Sequence, residues 1–93
     1  MSVVILGGNE CMERRYKELC KEYKCQAKVF VKPIGNLKRK IGNPDLMIFF
    51  TGAMSHKMVQ SALNEIKGTD TKVTRCNSGS MSALRGILET HAR

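Results

Sequence analysis

Two short runs of this chain are apolar at every position rather than at alternate ones: Val3-Val4-Ile5-Leu6 and Leu46-Met47-Ile48-Phe49-Phe50. A strand covered on one face alternates polar and apolar side chains, so a strand with no polar side has to be covered on both. Each run stops at a glycine-containing turn, Gly7-Gly8 or Thr51-Gly52, and each is followed by helical spacing. These features predict two central strands, over 2–6 and 45–50, in a parallel sheet with helices on both faces.

Residues 27–32 and 71–76 also read as strands, but they interleave polar with apolar residues (Ala27-Lys28-Val29-Phe30-Val31-Lys32, Thr71-Lys72-Val73-Thr74-Arg75-Cys76). A strand tolerates that pattern best at a sheet edge. With the first and third strands central, the second and fourth outside, and right-handed crossovers required, the spatial order becomes 2-1-3-4. The expected fold is therefore α/β, a small Rossmann-like or flavodoxin-like three-layer sandwich of four parallel strands, forming a single domain over residues 1–93.

Helical stripes fill the intervals. Met12, Tyr16, Leu19, Cys20 and Tyr23 fall at i, i+4, i+7, i+8 and i+11 of a helix over 10–23 with Asn9 as its N-cap. Met58, Val59, Ala62, Leu63 and Ile66 repeat the stripe in a helix that Ser55 caps and Gly68 ends. A short helix over 36–41 carries the solvent-facing Lys38-Arg39-Lys40. The last helix starts near Ser78 or Ser80, buries Ala83, Leu84, Ile87 and Leu88, and is expected to fray from His91 onward.

With 93 residues there is room for one core and no second catalytic domain. The longest apolar run is far short of the roughly 20 residues that cross a bilayer, and no basic-then-apolar leader precedes Val3. A cytoplasmic protein without membrane partners is expected. Cys11, Cys20, Cys25 and Cys76 form no Cys-x-x-Cys pair, which argues against structural zinc and disulfides; Cys20 and Cys25 read as core. Sixteen basic against eight acidic residues give a net charge of +8. Ten of the basic residues lie in 14–40, and that balance favours an anionic partner. Nucleic acid is one such partner, although with no Trp, two Tyr and three Phe the chain offers few stacking platforms. A solvated basic surface accounts equally well for the charge.

In an open parallel sheet, ligands bind beyond the carboxyl ends of the strands where the strand order reverses, here between the first and third strands. That point gathers Gly7, Gly8 and Asn9 from one loop and Thr51, Gly52, Ser55 and His56 from the other. Ser78 and Ser80 extend the rim from the fourth strand and Lys32 closes it from the second. Glycines let backbone amides approach a ligand, and helix N-termini favour phosphate or carboxylate. Tight turns and serine caps would also explain each loop separately. The loops contain neither a Gly-x-Gly-x-x-Gly nor a P-loop. The leading expectation is a binding or sensing domain for a small anionic ligand, a nucleotide or phosphorylated metabolite. Cys11, off the buried stripe at a helix N-terminus, and His56 give the alternative of haem or transition-metal binding.

Spacing argues against a phosphatase loop. It needs a nucleophilic cysteine, five intervening residues and an arginine, and Lys17 stands where the arginine would be. No nucleophile, base and orienting group are forced together elsewhere, so the reading is of a binding domain rather than an enzyme. Arg14 and Arg15 can reach back to an anion or pair with Glu10, Glu18 or Glu22 along the helix. The half-polar edge strand over 71–76 suggests pairing with a second copy, a homodimer.

Val3-Val4-Ile5-Leu6-Gly7-Gly8, then Glu13-Arg14-Arg15-Tyr16, Asp45-Leu46-Met47-Ile48 and Ser55-His56, resemble the prokaryotic domain of unknown function family numbered 2325, over nearly the whole chain. The resemblance implies the α/β fold and draws attention to His56, and it brings no activity with it.

Overall fold

In the computed structural model, residues 1–8, 10–30, 44–54, 56–68 and 70–91 are described. Strands β1 (Ser2–Gly7), β2 (Gln26–Phe30), β3 (Leu46–Phe50) and β4 (Lys72–Cys76) form one sheet in the order β2-β1-β3-β4, with every neighbouring pair parallel. The two all-apolar runs are the central strands, and the two interleaved ones are the edges, as their patterns require. Val3, Val4, Ile5 and Leu6 and all five residues of β3 are fully buried. Each such side chain contributes about 1.5–3 kcal/mol of transfer free energy.

Pairing register divides the core into two layers. Val3, Ile5, Leu46, Ile48 and Phe50 share one face of the sheet, where they meet Tyr16, Leu19 and Cys20 of α1 (Glu13–Glu22) and Leu84 and Leu88 of the last helix, α3 (Met81–His91). Val4, Leu6, Met47 and Phe49 share the other, under Ala62 of α2 (His56–Glu65) and Ile66 just beyond it. The chain after β1 thus crosses one face and the chain after β3 crosses the other, the divergence that opens a crevice at a strand-order reversal.

Local differences from the expected elements have physical causes. The helix expected over 10–23 is a 3-10 turn, Glu10–Met12, followed by α1, a common way for a helix to tighten at its start. Met12 occupies the α1 cap position without a side-chain cap bond; Asn9 lies outside the described residues, as do Ser55 and the segment expected to form a helix over 36–41. At the C-terminus of α1, Lys24 has φ 59, its N–H donates to the Lys21 carbonyl and that of Cys25 donates to the Cys20 carbonyl, both at 2.9 Å. This is a Schellman closure with lysine where glycine is the usual residue, and the two buried cysteines make its apolar contact. Of the stretch expected to fray from His91, His91 itself closes α3, with its Nε2 3.2 Å from Thr74 Oγ1 on β4, and residues 92 and 93 lie outside the described residues.

The amino end of the sheet is tied by polar groups. The Ser2 N–H donates to Asp45 Oδ2 at 2.7 Å while the Asp45 N–H donates to the Ser2 carbonyl at 2.8 Å, and Thr71 Oγ1 donates to the Pro44 carbonyl at 2.7 Å. Among the described residues, no helix is long and apolar enough to cross a membrane.

Candidate functional site

At the carboxyl end of the sheet the loops after β1, β3 and β4 close on one another through positions where no Cβ fits. Gly7 and Gly8 have φ of 87° and 92°, the left-handed region that glycine enters without steric cost. A Cβ on Gly8 would stand 2.8 Å from the Tyr16 hydroxyl and 3.1 Å from Phe50 Cδ2; one on Gly7 would stand 2.8 Å from the Phe50 carbonyl oxygen and would collide with Met54. A Cβ on Gly79 would stand 2.9 Å from the same Tyr16 hydroxyl and 3.2 Å from Gly8 Cα, and one on Gly52 would overlap the Asn77 carbonyl. The first loop therefore touches both others, and the loop after β3 touches the loop after β4.

Tyr16 fastens this arrangement. It is fully buried on α1, its ring lies 5.4 Å from that of Phe50, and its hydroxyl donates to the Gly79 carbonyl. A buried tyrosine needs a partner for its hydroxyl, and here that partner belongs to a residue 63 positions away. Thr51 Oγ1 donates to the Cys76 carbonyl at 3.4 Å, adding a second tie between the loops after β3 and β4.

The expected site residues distribute as follows. Gly7, Gly8, Thr51 and Gly52 stand together at the strand ends, with Ser78 and Ser80 on the segment that leads into α3. Ser78 Oγ accepts from the Ser80 N–H at 3.3 Å, and Ser80 Oγ accepts from the Ala83 N–H at 3.2 Å, so Ser80 is the N-cap of α3. Both serines are exposed, and each hydroxyl keeps its own proton for donation. His56 is the first residue of α2 and is described by its backbone alone; Asn9, Lys32 and Ser55 lie outside the described residues.

Cys11 is exposed within the 3-10 turn, ahead of the α1 cap position rather than in the first turn of α1 itself. None of the four cysteines is in a disulfide. Burial, aided by the neighbouring Cys25, pushes the Cys20 thiol up to about 12, which makes it an inert core group. Cys76 Sγ donates to the Ser78 carbonyl at 3.2 Å. Among the described residues, no three His, Cys, Asp or Glu side chains gather where a metal ion could be held. Of the basic stretch, Arg14 pairs with Glu18 at 3.3 Å and Lys17 with Glu13 at 3.8 Å, both exposed i,i+4 pairs worth a few tenths of a kcal/mol.

Sequence reasoning named the glycines but missed their fastener. The available signal was a tyrosine in an apolar stripe, where leucine or methionine would fill the space without bringing a hydroxyl to satisfy. It also missed Met54, which fills the space beside Gly7.

Three of the four motifs on which the family resemblance rests are thus joints of the fold: Gly7-Gly8, Tyr16, and Asp45 at the opposite end of the sheet. No curated protein and no solved structure matches the chain significantly. A family model matches residues 2–91, and on that match the chain belongs to the family described as "uncharacterized protein conserved in bacteria (DUF2325)".

Proposed function

We propose that this domain binds or senses a small anionic ligand, a nucleotide or another phosphorylated compound, at the rim formed by the loops after β1, β3 and β4. The observation that carries this reading is the closure of three loops on one another, through glycines, at the point where the chain leaves the sheet toward opposite faces. The glycines let the three loops pack against one another and against Tyr16 before any ligand arrives, so binding at the rim would order little. The exposed hydroxyls of Ser78 and Ser80 add donors, Asn9, Lys32, Ser55 and His56 belong to the same reading, and a net charge of +8 attracts anions. A thermal-shift screen of nucleotides and sugar phosphates tests it. A ligand that stabilises the protein, with the shift reduced in His56→Ala and Ser78→Ala, is expected; no shift from any of them in the unsubstituted protein ends the reading.

Haem or transition-metal binding is the second reading. Cys11 lies in the turn after β1, and His56 opens the helix after β3, the neighbouring strand. Titration with haem would then give a Soret band that Cys11→Ala and His56→Ala each alter. Nucleic-acid binding by the basic 14–40 region has thinner support, since Arg14 and Lys17 are engaged by acidic neighbours on their own helix. Four cysteines outside any disulfide fit a reducing cytoplasmic setting.

A further inference from the structure

β4 is a terminal strand of the sheet, and its outer edge is chemically specific. The Lys72 N–H donates inward to the Asp45 carbonyl at 3.1 Å, and in a parallel ladder alternate residues turn their backbone groups the same way. Lys72, Thr74 and Cys76 therefore face β3, and the N–H and C=O groups of Val73 and Arg75 face outward. Register puts Val73 and Arg75 on the α2 side of the sheet, opposite Met47 and Phe49, and both are exposed there. Val73 is 38 % exposed, an uncovered β-branched residue on the same side of the sheet as the exposed Arg75, with the exposed Lys72 on the other side. The other side of β4 is partly covered by α3, where His91 meets Thr74.

An open edge of this kind takes another strand. A second copy is the simplest occupant to imagine, but antiparallel pairing of two β4 strands about a two-fold axis brings four cations to one short seam, two Lys72 on one side of the sheet and two Arg75 on the other, with no acidic residue of β4 to offset them. Each copy carries +8, so the approach of two such edges is opposed by repulsion. The charges that blunt the edge against itself select for the opposite sign. We infer that the outer edge of β4 is a docking strand for an extended acidic segment of another protein, with acidic residues opposite Lys72 and Arg75 and an apolar residue against Val73. Run antiparallel, the sequence Glu-Thr-Val-Glu meets Arg75, Thr74, Val73 and Lys72 in that order.

The probe is a fluorescein-labelled peptide with Glu-Thr-Val-Glu at its centre, titrated against the full chain at low salt. Saturable micromolar binding is expected, weakened at least about tenfold by Lys72→Glu with Arg75→Glu, and lost progressively as salt screens the pairs. Val73→Pro removes an outward N–H and no ladder bond, so it should abolish binding while circular dichroism stays unchanged. If that variant misfolds, amide hydrogen exchange in the unsubstituted protein decides: the peptide should slow exchange at Val73 and Arg75. Absence of saturable binding, equal binding of a scrambled acidic peptide, or exchange at Val73 and Arg75 unaffected by a bound peptide overturns the inference. So does displacement of the peptide by single-stranded DNA at equal concentration, or light scattering that gives twice the 10.4 kDa chain mass for the protein alone.

Discussion

If Tyr16 fastens the rim as its geometry indicates, then Tyr16→Phe and Gly8→Ala should destabilise the protein non-additively. Tyr16→Phe keeps the ring against Phe50 and removes the hydroxyl that donates to the Gly79 carbonyl. Losing a hydrogen bond at this depth costs about 1–2 kcal/mol, which lowers the thermal midpoint of a domain this size by roughly 4–16 °C. Gly8→Ala places a side chain at φ 92, worth about 1–2 kcal/mol of backbone strain. It also sets the new methyl 2.8 Å from the hydroxyl and 2.9 Å from Cε2, an overpacking cost of about 1–3 kcal/mol. In the double variant the hydroxyl is gone, so the closest of these collisions disappears and the Gly79 bond cannot be lost twice. The combined loss should therefore fall short of the sum of the single losses by about 1 kcal/mol. Urea unfolding of the four proteins, followed by far-ultraviolet circular dichroism with a common m-value, measures this directly. Additivity to within about 0.4 kcal/mol would refute the claim that Gly8 and the Tyr16 hydroxyl compete for the same space.

Other consequences are separable from that one. Lys24→Gly should raise stability by about 0.5–1 kcal/mol, because the Schellman closure needs a left-handed residue there and glycine adopts it without the Cβ clash; an unchanged or lower urea midpoint would contradict it. Ser80→Ala should cost about 1 kcal/mol by leaving the Ala83 N–H without its cap, while Ser80→Asp, which keeps an acceptor oxygen, should cost only about a few tenths, and equal losses would show that the cap bond is not the source. The Cys20 thiol is neutral when folded and pushed up to about 12, above its ordinary value of 9.0. The unfolded chain therefore releases the proton first, so stability is complete below pH 9 and declines as pH rises toward 12. Between pH 9 and 10 this group alone should remove about 1 kcal/mol. The slope of stability against pH over that range should flatten in Cys20→Ala, and identical slopes would rule the thiol out.

How far the fold could be read from the residues depended on whether their signal was local. The unbroken apolar runs of β1 and β3 identify strands covered on both faces, and from these the order β2-β1-β3-β4 follows by handedness alone. The stripe through Tyr16, Leu19 and Cys20 likewise identifies the buried side of α1. Less was legible at helix ends. The 3-10 turn at Glu10–Met12 has the same apolar spacing as the helix it precedes, so periodicity cannot separate the two. His91 reads as a polar tail residue in sequence, and it is the contact with Thr74 across the α3 and β4 elements that places it within the helix.

The candidate site was legible as a set of loops but not as a set of contacts, and the distinction separates residues that build the rim from residues that can select a ligand. Gly7, Gly8, Gly52 and Gly79 are constrained by what lies within a bond length or two of where a Cβ would stand. Tyr16 is constrained by a carbonyl far away in sequence, and Asp45 by the Ser2 amide at the other end of the sheet. These residues carry most of the family resemblance, so the resemblance follows the architecture of the rim more closely than its chemistry. Asn77 and Ser78 are exposed at the same end, and the Ser78 hydroxyl bonds to the Ser80 N–H two residues on rather than to another loop. Substituting them should change what binds while moving stability by less than about 0.5 kcal/mol. Substituting the glycines should do the reverse, and the search for a ligand is best read out on the first group.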